Sequence, residues 1–147
     1  MFSSHTTEIA SSFVSTYYNA LTTEVSTLVK YFGESSQLTF AKNGEEQRLF
    51  NGAPEIVKEL SAFVGAYTGV KATITAVDYV KGTNATIVVS CTGFLYTPTT
   101  EQAFVQLFVL TPTPRRTDCY FVANSCFRIT NVDEEVAPLH MPMYDEP

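Results

Sequence analysis

Apolar residues recur at helical spacing through the first part of the chain and at strand spacing after Gly69, so two kinds of element follow one another. From Thr7 to Leu21 the positions Ile9, Phe13, Val14, Tyr17 and Leu21 fall on one stripe, with Ser11, Ser15 and Asn19 between them. That spacing predicts an amphipathic helix. Thr22-Thr23 breaks the pattern and offers N-caps, and Val25, Leu28, Val29 and Phe32 then predict a second, shorter helix stopped at Gly33. Gln37 to Ala41 reads as a strand, Asn43-Gly44 as a tight turn, and residues 46–50 as the returning partner. Asn51-Gly52-Ala53-Pro54 opens a third helix whose buried stripe is Ile56, Val57, Leu60, Phe63 and Val64.

Beyond Gly69 the pattern predicts long strands at Val70 to Val80, Ala85 to Tyr96, Gln102 to Leu110 and Asp118 to Thr130, separated by short Gly-, Pro- and Thr-rich turns. Short connections imply antiparallel neighbours. The expected class is therefore α+β, with three N-terminal helices covering one face of a curved antiparallel sheet. One strand complicates this layout. Phe104, Gln106, Phe108 and Leu110 point one way and Val105, Leu107 and Val109 the other, so both faces of the strand need cover. The helices cover one face, and a second chain is expected on the other, because a large exposed apolar patch is a liability. The expected seam residues are Phe104, Gln106, Phe108, Tyr120 and Val122.

Composition bounds the functions open to such a domain. The 147 residues suffice for one core, burying roughly 68–70% of the unfolded surface. The net charge of −6 is misleading, because Asp133, Glu134, Glu135, Asp145 and Glu146 place five of those negative charges after residue 130. The body is close to neutral, and no basic stripe matches a phosphate backbone, so direct nucleic-acid binding is not expected. Cys91, Cys119 and Cys126 form no C-x-x-C pair and are odd in number, which argues against a disulfide framework and a zinc knuckle. No apolar run spans a bilayer and no signal-peptide pattern opens the chain, so a soluble, intracellular protein is expected, and the sequon at Asn84 is read as chance.

Several strings in order resemble the nuclear transport factor 2-like domain. They are Phe13-Val14-Ser15-Thr16-Tyr17-Tyr18, Tyr31-Phe32-Gly33, Gly52-Ala53-Pro54-Glu55-Ile56 and Ile74-Thr75-Ala76-Val77-Asp78. Phe104-x-Gln106-x-Phe108-x-Leu110 and Tyr120-Phe121-Val122-x-Asn124-x-x-Phe127-Arg128 complete the set. The resemblance covers about residues 8–131, and the domain is expected over 1–131 with an acidic, Pro-containing tail at 132–147. It implies a cone-shaped fold, a homodimer or a heterodimer with a related domain, and work in nucleocytoplasmic transport, in the nucleus, the cytoplasm and at the nuclear envelope. Two branches are most similar: the messenger-RNA export cofactor, through Cys126-Phe127-Arg128, and the Ras-GAP SH3-domain-binding proteins, through Tyr31-Phe32-Gly33. The latter branch implies a groove for Phe-Gly segments, of nucleoporins or ribonucleoproteins, at Phe13, Tyr31 and Phe127. Carriage of the GTPase Ran is disfavoured, because Phe40-Ala41 and Tyr96-Thr97-Pro98-Thr99-Thr100 stand where the Ran carrier has Trp-Glu and acidic residues.

Alternative readings of the same domain are a ribonucleoprotein-granule scaffold, a Ran-GDP import carrier, and a small-molecule lyase or isomerase using Asp78. Asp78 falls mid-strand with Ile74 and Ala76 on one face, where burial would raise its pKa toward a general base's value. His5 and His140 lie in terminal segments, and no Ser/His/Asp, metal or phosphate-loop constellation occurs, so no catalytic residue, metal or cofactor is assigned. Arg128 is expected to bind an acid or carbonyl at the sheet end. In the tail, Leu139, Met141, Met143 and Tyr144 could dock on a groove as a short motif.

Overall fold

The computed structural model describes residues 4–65, 69–114 and 119–130. Helix α1 spans Ser4–Thr23, a 3-10 helix Val25–Tyr31, and helix α2 Ala53–Gly65. The strands are β1 (Phe32–Ala41), β2 (Arg48–Asn51), β3 (Lys71–Lys81), β4 (Ile87–Tyr96), β5 (Glu101–Pro112) and β6 (Tyr120–Ile129). They form one sheet in the order β2-β1-β6-β5-β4-β3. Among the described residues no helix is long and apolar enough to cross a membrane. The acidic tail expected from residue 132 lies outside the described residues.

Two differences from the expected elements have local causes. The second helix is a 3-10 helix ending at Tyr31, and Phe32 and Gly33 already belong to β1. Strand β1 runs parallel to β6, so the sheet is mixed, and their register shifts between Phe32 and Gln37. Ser36 fills that lapse: its fully buried hydroxyl accepts from the Gly33 N–H (2.7 Å) and donates to the Val122 carbonyl (2.6 Å). Backbone groups left unpaired by the shift are thereby satisfied. At the start of α2, Gly52 adopts φ +82, where an L side chain is strained, and the Glu55 carboxylate reaches back to accept from the Asn51 N–H at 3.1 Å.

The core lies between the helices and one face of the sheet. Tyr17, Leu21, Leu28, Ile56 and Leu60 from the helices meet Leu38, Val89, Phe104, Phe108, Leu110, Val122 and Phe127 from the strands. Aromatic rings carry much of this contact: Phe108 meets Tyr17 and Phe13 edge-on at 4.8 Å, and Phe127 meets Phe40, Phe63 and Phe104 at 5.3–5.7 Å. Edge-on pairs of this kind resist substitution by aliphatic residues of similar area, because the ring geometry adds to the burial.

Candidate interaction surfaces

The face of the sheet away from the helices is open, and its register defines three rows of side chains. One runs Leu49, Thr39, Cys126, Leu107, Ser90 and Asp78 from β2 to β3. A second runs Ala41, Arg128, Val105, Thr92 and Ala76, and a third Gln37, Asn124, Val109, Val88 and Val80. Valines and leucines at the middle of these rows are half-buried within the chain, and Leu49 and Val80 are about half exposed. Thr39, Ala41, Val105, Leu107 and Cys126 line a shallow depression of ≈ 190 Å³ on this face. Charge is sparse there. The Arg128 guanidinium is turned to the carbonyls of Lys42 and Glu45, both at 3.2 Å, which pins the β1–β2 loop, while Asp78 stands at the β3 edge. Arg128 thus binds carbonyls at the sheet end, as expected.

The expected seam residues are placed differently. Phe104, Gln106, Phe108 and Val122 are at most 2% exposed and lie on the helix-covered face, so their side chains have no surface to offer a partner. Tyr120 packs against the same core from the start of β6. Alternation had separated the two sets correctly and attached them to the wrong faces. Helices cover the side with larger rings because a Phe at these positions removes more apolar area from water than a Val.

Gln106 shows why its face is closed. Tyr18 donates to its Oε1 at 2.6 Å, and its Nε2 donates to the Ser125 hydroxyl at 3.1 Å and the Tyr17 hydroxyl at 3.3 Å. Ser125 in turn donates to the Leu107 carbonyl at 2.8 Å. Because the Tyr18 proton goes to Gln106, the Cys91 thiol 3.0 Å away is the donor in its contact with Tyr18. Among the described residues no buried side-chain polar atom lacks a partner. The network ties α1 to β4, β5 and β6.

Burial pushes the Tyr17 and Tyr18 phenols well above their ordinary 10.0 and raises the Cys91 thiol above 9.0. In each case the unfolded chain ionises first, so the folded state's advantage is complete below pH 9 and is lost as pH rises through the folded values. The expected slope is about 1.4 kcal/mol per pH unit for each group in that window. Urea midpoints measured from pH 8 to 11 should fall steeply. Tyr17→Phe should make the fall shallower above pH 10, and an unchanged slope would contradict this assignment.

The three aromatic residues expected to line a peptide groove are not brought together. Phe13 and Tyr31 are both half-buried, with their rings edge-on at 6.0 Å where α1 meets the 3-10 helix. Phe127 is 1% exposed and sits among Phe40, Phe63 and Phe104. Phe121, half-buried, lies beside Gly33, and the half-buried aromatic residue that β6 packs against the core is Tyr120, two residues before Val122. Its signal was legible in the sequence as the first aromatic residue of the last strand.

Asp78 is exposed on the open face, away from the interior. A register shift between Ile74 and Ala76 inserts Thr75, so Ile74 pairs with Gly93 while Ala76 pairs with Thr92, and the two point to opposite faces. The expected sharing of one face by Ile74, Ala76 and Asp78 fails at that bulge. No group of three or more His, Cys, Asp or Glu side chains able to hold a metal ion occurs among the described residues.

A helix-covered mixed sheet with one face filled and the other open defines the class. The chain belongs to the nuclear transport factor 2 (NTF2) domain family, whose model matches residues 9–129. Nuclear transport factor 2 from Cryptosporidium parvum is 26% identical, with 86% of this chain and 95% of that one covered at a TM-score of 0.74. The yeast UBP3-associated protein Bre5 is 22% identical, covering 82% and 93% at a TM-score of 0.70. A putative dehydratase of the NTF2-like family from Streptomyces avermitilis shares the fold at 14% identity, covering 88% and 100% at a TM-score of 0.67, so the fold also carries proteins described as enzymes. No curated protein sequence matches the chain.

Proposed function

We propose that this protein is a non-enzymatic adaptor that pairs with a second NTF2-type domain, a second copy in the first instance, through the open sheet face. The observation that carries this reading is the row through Leu107, flanked by Val105 and Val109, which has no cover among the described residues. A paired face of standard size removes ~800 Å² from water on each partner, and the rows here cross five or six strands. The outward-facing Asp78 and the hydrogen-bonded Gln106 between Tyr17 and Tyr18 support the adaptor reading over a lyase built on Asp78.

The setting we favour is nucleocytoplasmic transport, with messenger-RNA or protein export ahead of Ran import. The β4–β5 turn supports that order, since Thr97, Pro98, Thr99 and Thr100 offer no carboxylate to a GTPase lysine. Phe13 and Tyr31, with Tyr120 in place of Phe127, are the aromatic residues we assign to capture of Phe-Gly segments. Half-buried rings suit that task because an aromatic anchor in a partly formed pocket carries most of a small interface's energy.

Affinity capture of the full chain followed by native mass measurement tests the reading. The expected result is a particle of two NTF2-type domains that retains a Phe-Gly peptide, with retention lost in Tyr31→Ala. A strict monomer at micromolar concentration would overturn the pairing, and a Ran-containing complex would overturn the preference for export.

A further inference from the structure

We infer that the open face has an occupant of its own in the lone chain, the segment Val136 to Tyr144 that follows the last strand, and that this segment competes with the pairing partner. The inference rests on the reading of that face as the pairing surface and adds how pairing is regulated. A seat is present: Thr39, Ala41, Val105, Leu107, Cys126 and Arg128 line the depression of ≈ 190 Å³. An apolar face of this kind calls for cover whenever no second chain is there.

The place where the described chain ends favours this occupant. Thr130, two residues past Arg128, donates its N–H to the Ala103 carbonyl at 2.8 Å, so the chain leaves the sheet between β1 and β5, at the end where the depression lies. Cys126 is four residues back along β6, about 13 Å at ~3.3 Å per residue. Leu139 follows Thr130 by nine residues, a reach of up to ~30 Å. The reach exceeds the return distance about twofold.

Chemistry agrees with geometry. The segment holds no Asp, Glu, Lys or Arg, and Leu139, Met141 and Met143 supply apolar area whose thioethers adapt to a shallow seat. Pro138 and Pro142 lack the N–H that a strand ladder needs, which suits a run laid across a sheet face, where no backbone partner is offered. Asp133, Glu134 and Glu135 lie three to five residues past Thr130, within reach of Arg128, while Asp78, the other charged residue of the three rows, stands at the far edge. Attachment to the same chain gives the segment a local concentration of millimolar order, so a weak contact suffices. A second copy must displace it on both chains. With the segment seated about nine-tenths of the time, pairing weakens about hundredfold, because the competent fraction enters once for each chain.

The test uses the full chain, diluted until its native mass is that of one chain, and follows alkylation of each cysteine by peptide mass analysis. Cys126 is the reporter, Cys119 the reference outside the depression, and Cys91, 1% exposed, the check on folding. In the double variant Leu139→Asp, Met141→Asp, Cys126 should react about tenfold faster than in the wild type, with Cys119 unchanged and Cys91 unreacted. A separate peptide of residues 132–144 at millimolar concentration should restore the slow rate. Sedimentation should show the variant pairing at least tenfold more tightly than the wild type. Leu139→Ser, Met141→Ser serves as the milder variant, with the same expectation, should Cys91 react in the first. Equal Cys126 rates in wild type and variant would overturn the inference and leave the pairing reading standing. Slow Cys126 in a chain that pairs at no concentration would overturn the pairing reading and not the seat. A variant that pairs more weakly than the wild type would place the segment on a partner's face, and that too would sink the inference.

Discussion

Leu107→Glu is expected to yield a folded chain that no longer pairs, with the native mass of one chain in place of two. Leu107 stands at the centre of the row from Leu49 to Asp78, on the face the helices leave open, and is half-buried within its own chain. A carboxylate there can reach water in the single chain, so the melting temperature should change little. In the proposed pair, two carboxylates would be taken out of water. The one cation of the neighbouring row, Arg128, already donates to the Lys42 and Glu45 carbonyls. Two uncompensated buried charges cost upward of ~4 kcal/mol, or about a thousandfold in the dissociation constant. Analytical ultracentrifugation across a dilution series checks this. Cys126, exposed beside Leu107, gives a second readout: its alkylation should be slow in the wild-type pair and fast in the variant. Equal masses and equal alkylation rates would move the seam to another surface.

Gly93→Ala is expected to cost about 3 kcal/mol of stability, a large effect for one added methyl group. The added Cβ would sit 2.2 Å from the Thr73 carbonyl oxygen, 3.2 Å from the Ile74 Cα and 3.2 Å from the Phe104 ring. Backbone cannot rotate away as a flexible side chain can, so β3 must lift from β4 next to the bulge at Thr75. Gly93 is also buried between Ile74 and Phe104, its register partners in β3 and β5, and any relief there disturbs the Phe104 packing. Urea denaturation of the two proteins checks the loss, and a change within ~0.5 kcal/mol would show that β3 yields cheaply. Gly65 offers the control, since no described residue lies within 4 Å of a Cβ there.

The elements were legible where a pattern is local. The stripe from Ile9 to Leu21 places α1, and the glycine and proline at 52 and 54 place the start of α2. Apart from β1, which begins at Phe32 and not at Gln37, strand ends fell within two residues of expectation, because the turn residues that bound them act over short range. The parallel pairing of β1 with β6 was not legible: it joins residues some 85 apart in sequence, and no local signal reports it. The buried Ser36 bridge that accommodates that pairing looks, in sequence, like any serine of a polar loop.

The candidate surfaces divide along the same line. Alternation along Phe104 to Leu110 separates two sets of side chains with certainty, since the strand repeat is two. It cannot say which set the helices cover, and so the seam expected at Phe104, Gln106 and Phe108 fell on the interior. Asp78 turned outward because one extra residue, Thr75, resets the alternation, and a bulge leaves no mark in composition. Phe127 and Tyr120 are both aromatic residues of one strand; only the depth of their burial distinguishes an anchor in the core from one open to a partner.

By itself, the amino-acid sequence determined the family, the α+β order of elements and the existence of a strand with two apolar faces, because each follows from spacing and residue type along the chain. The tertiary structure alone decided which face is filled, where Asp78 points and which strand ends the sheet. Those are matters of register and of what packs above each strand, and they are set by contacts between residues far apart in sequence.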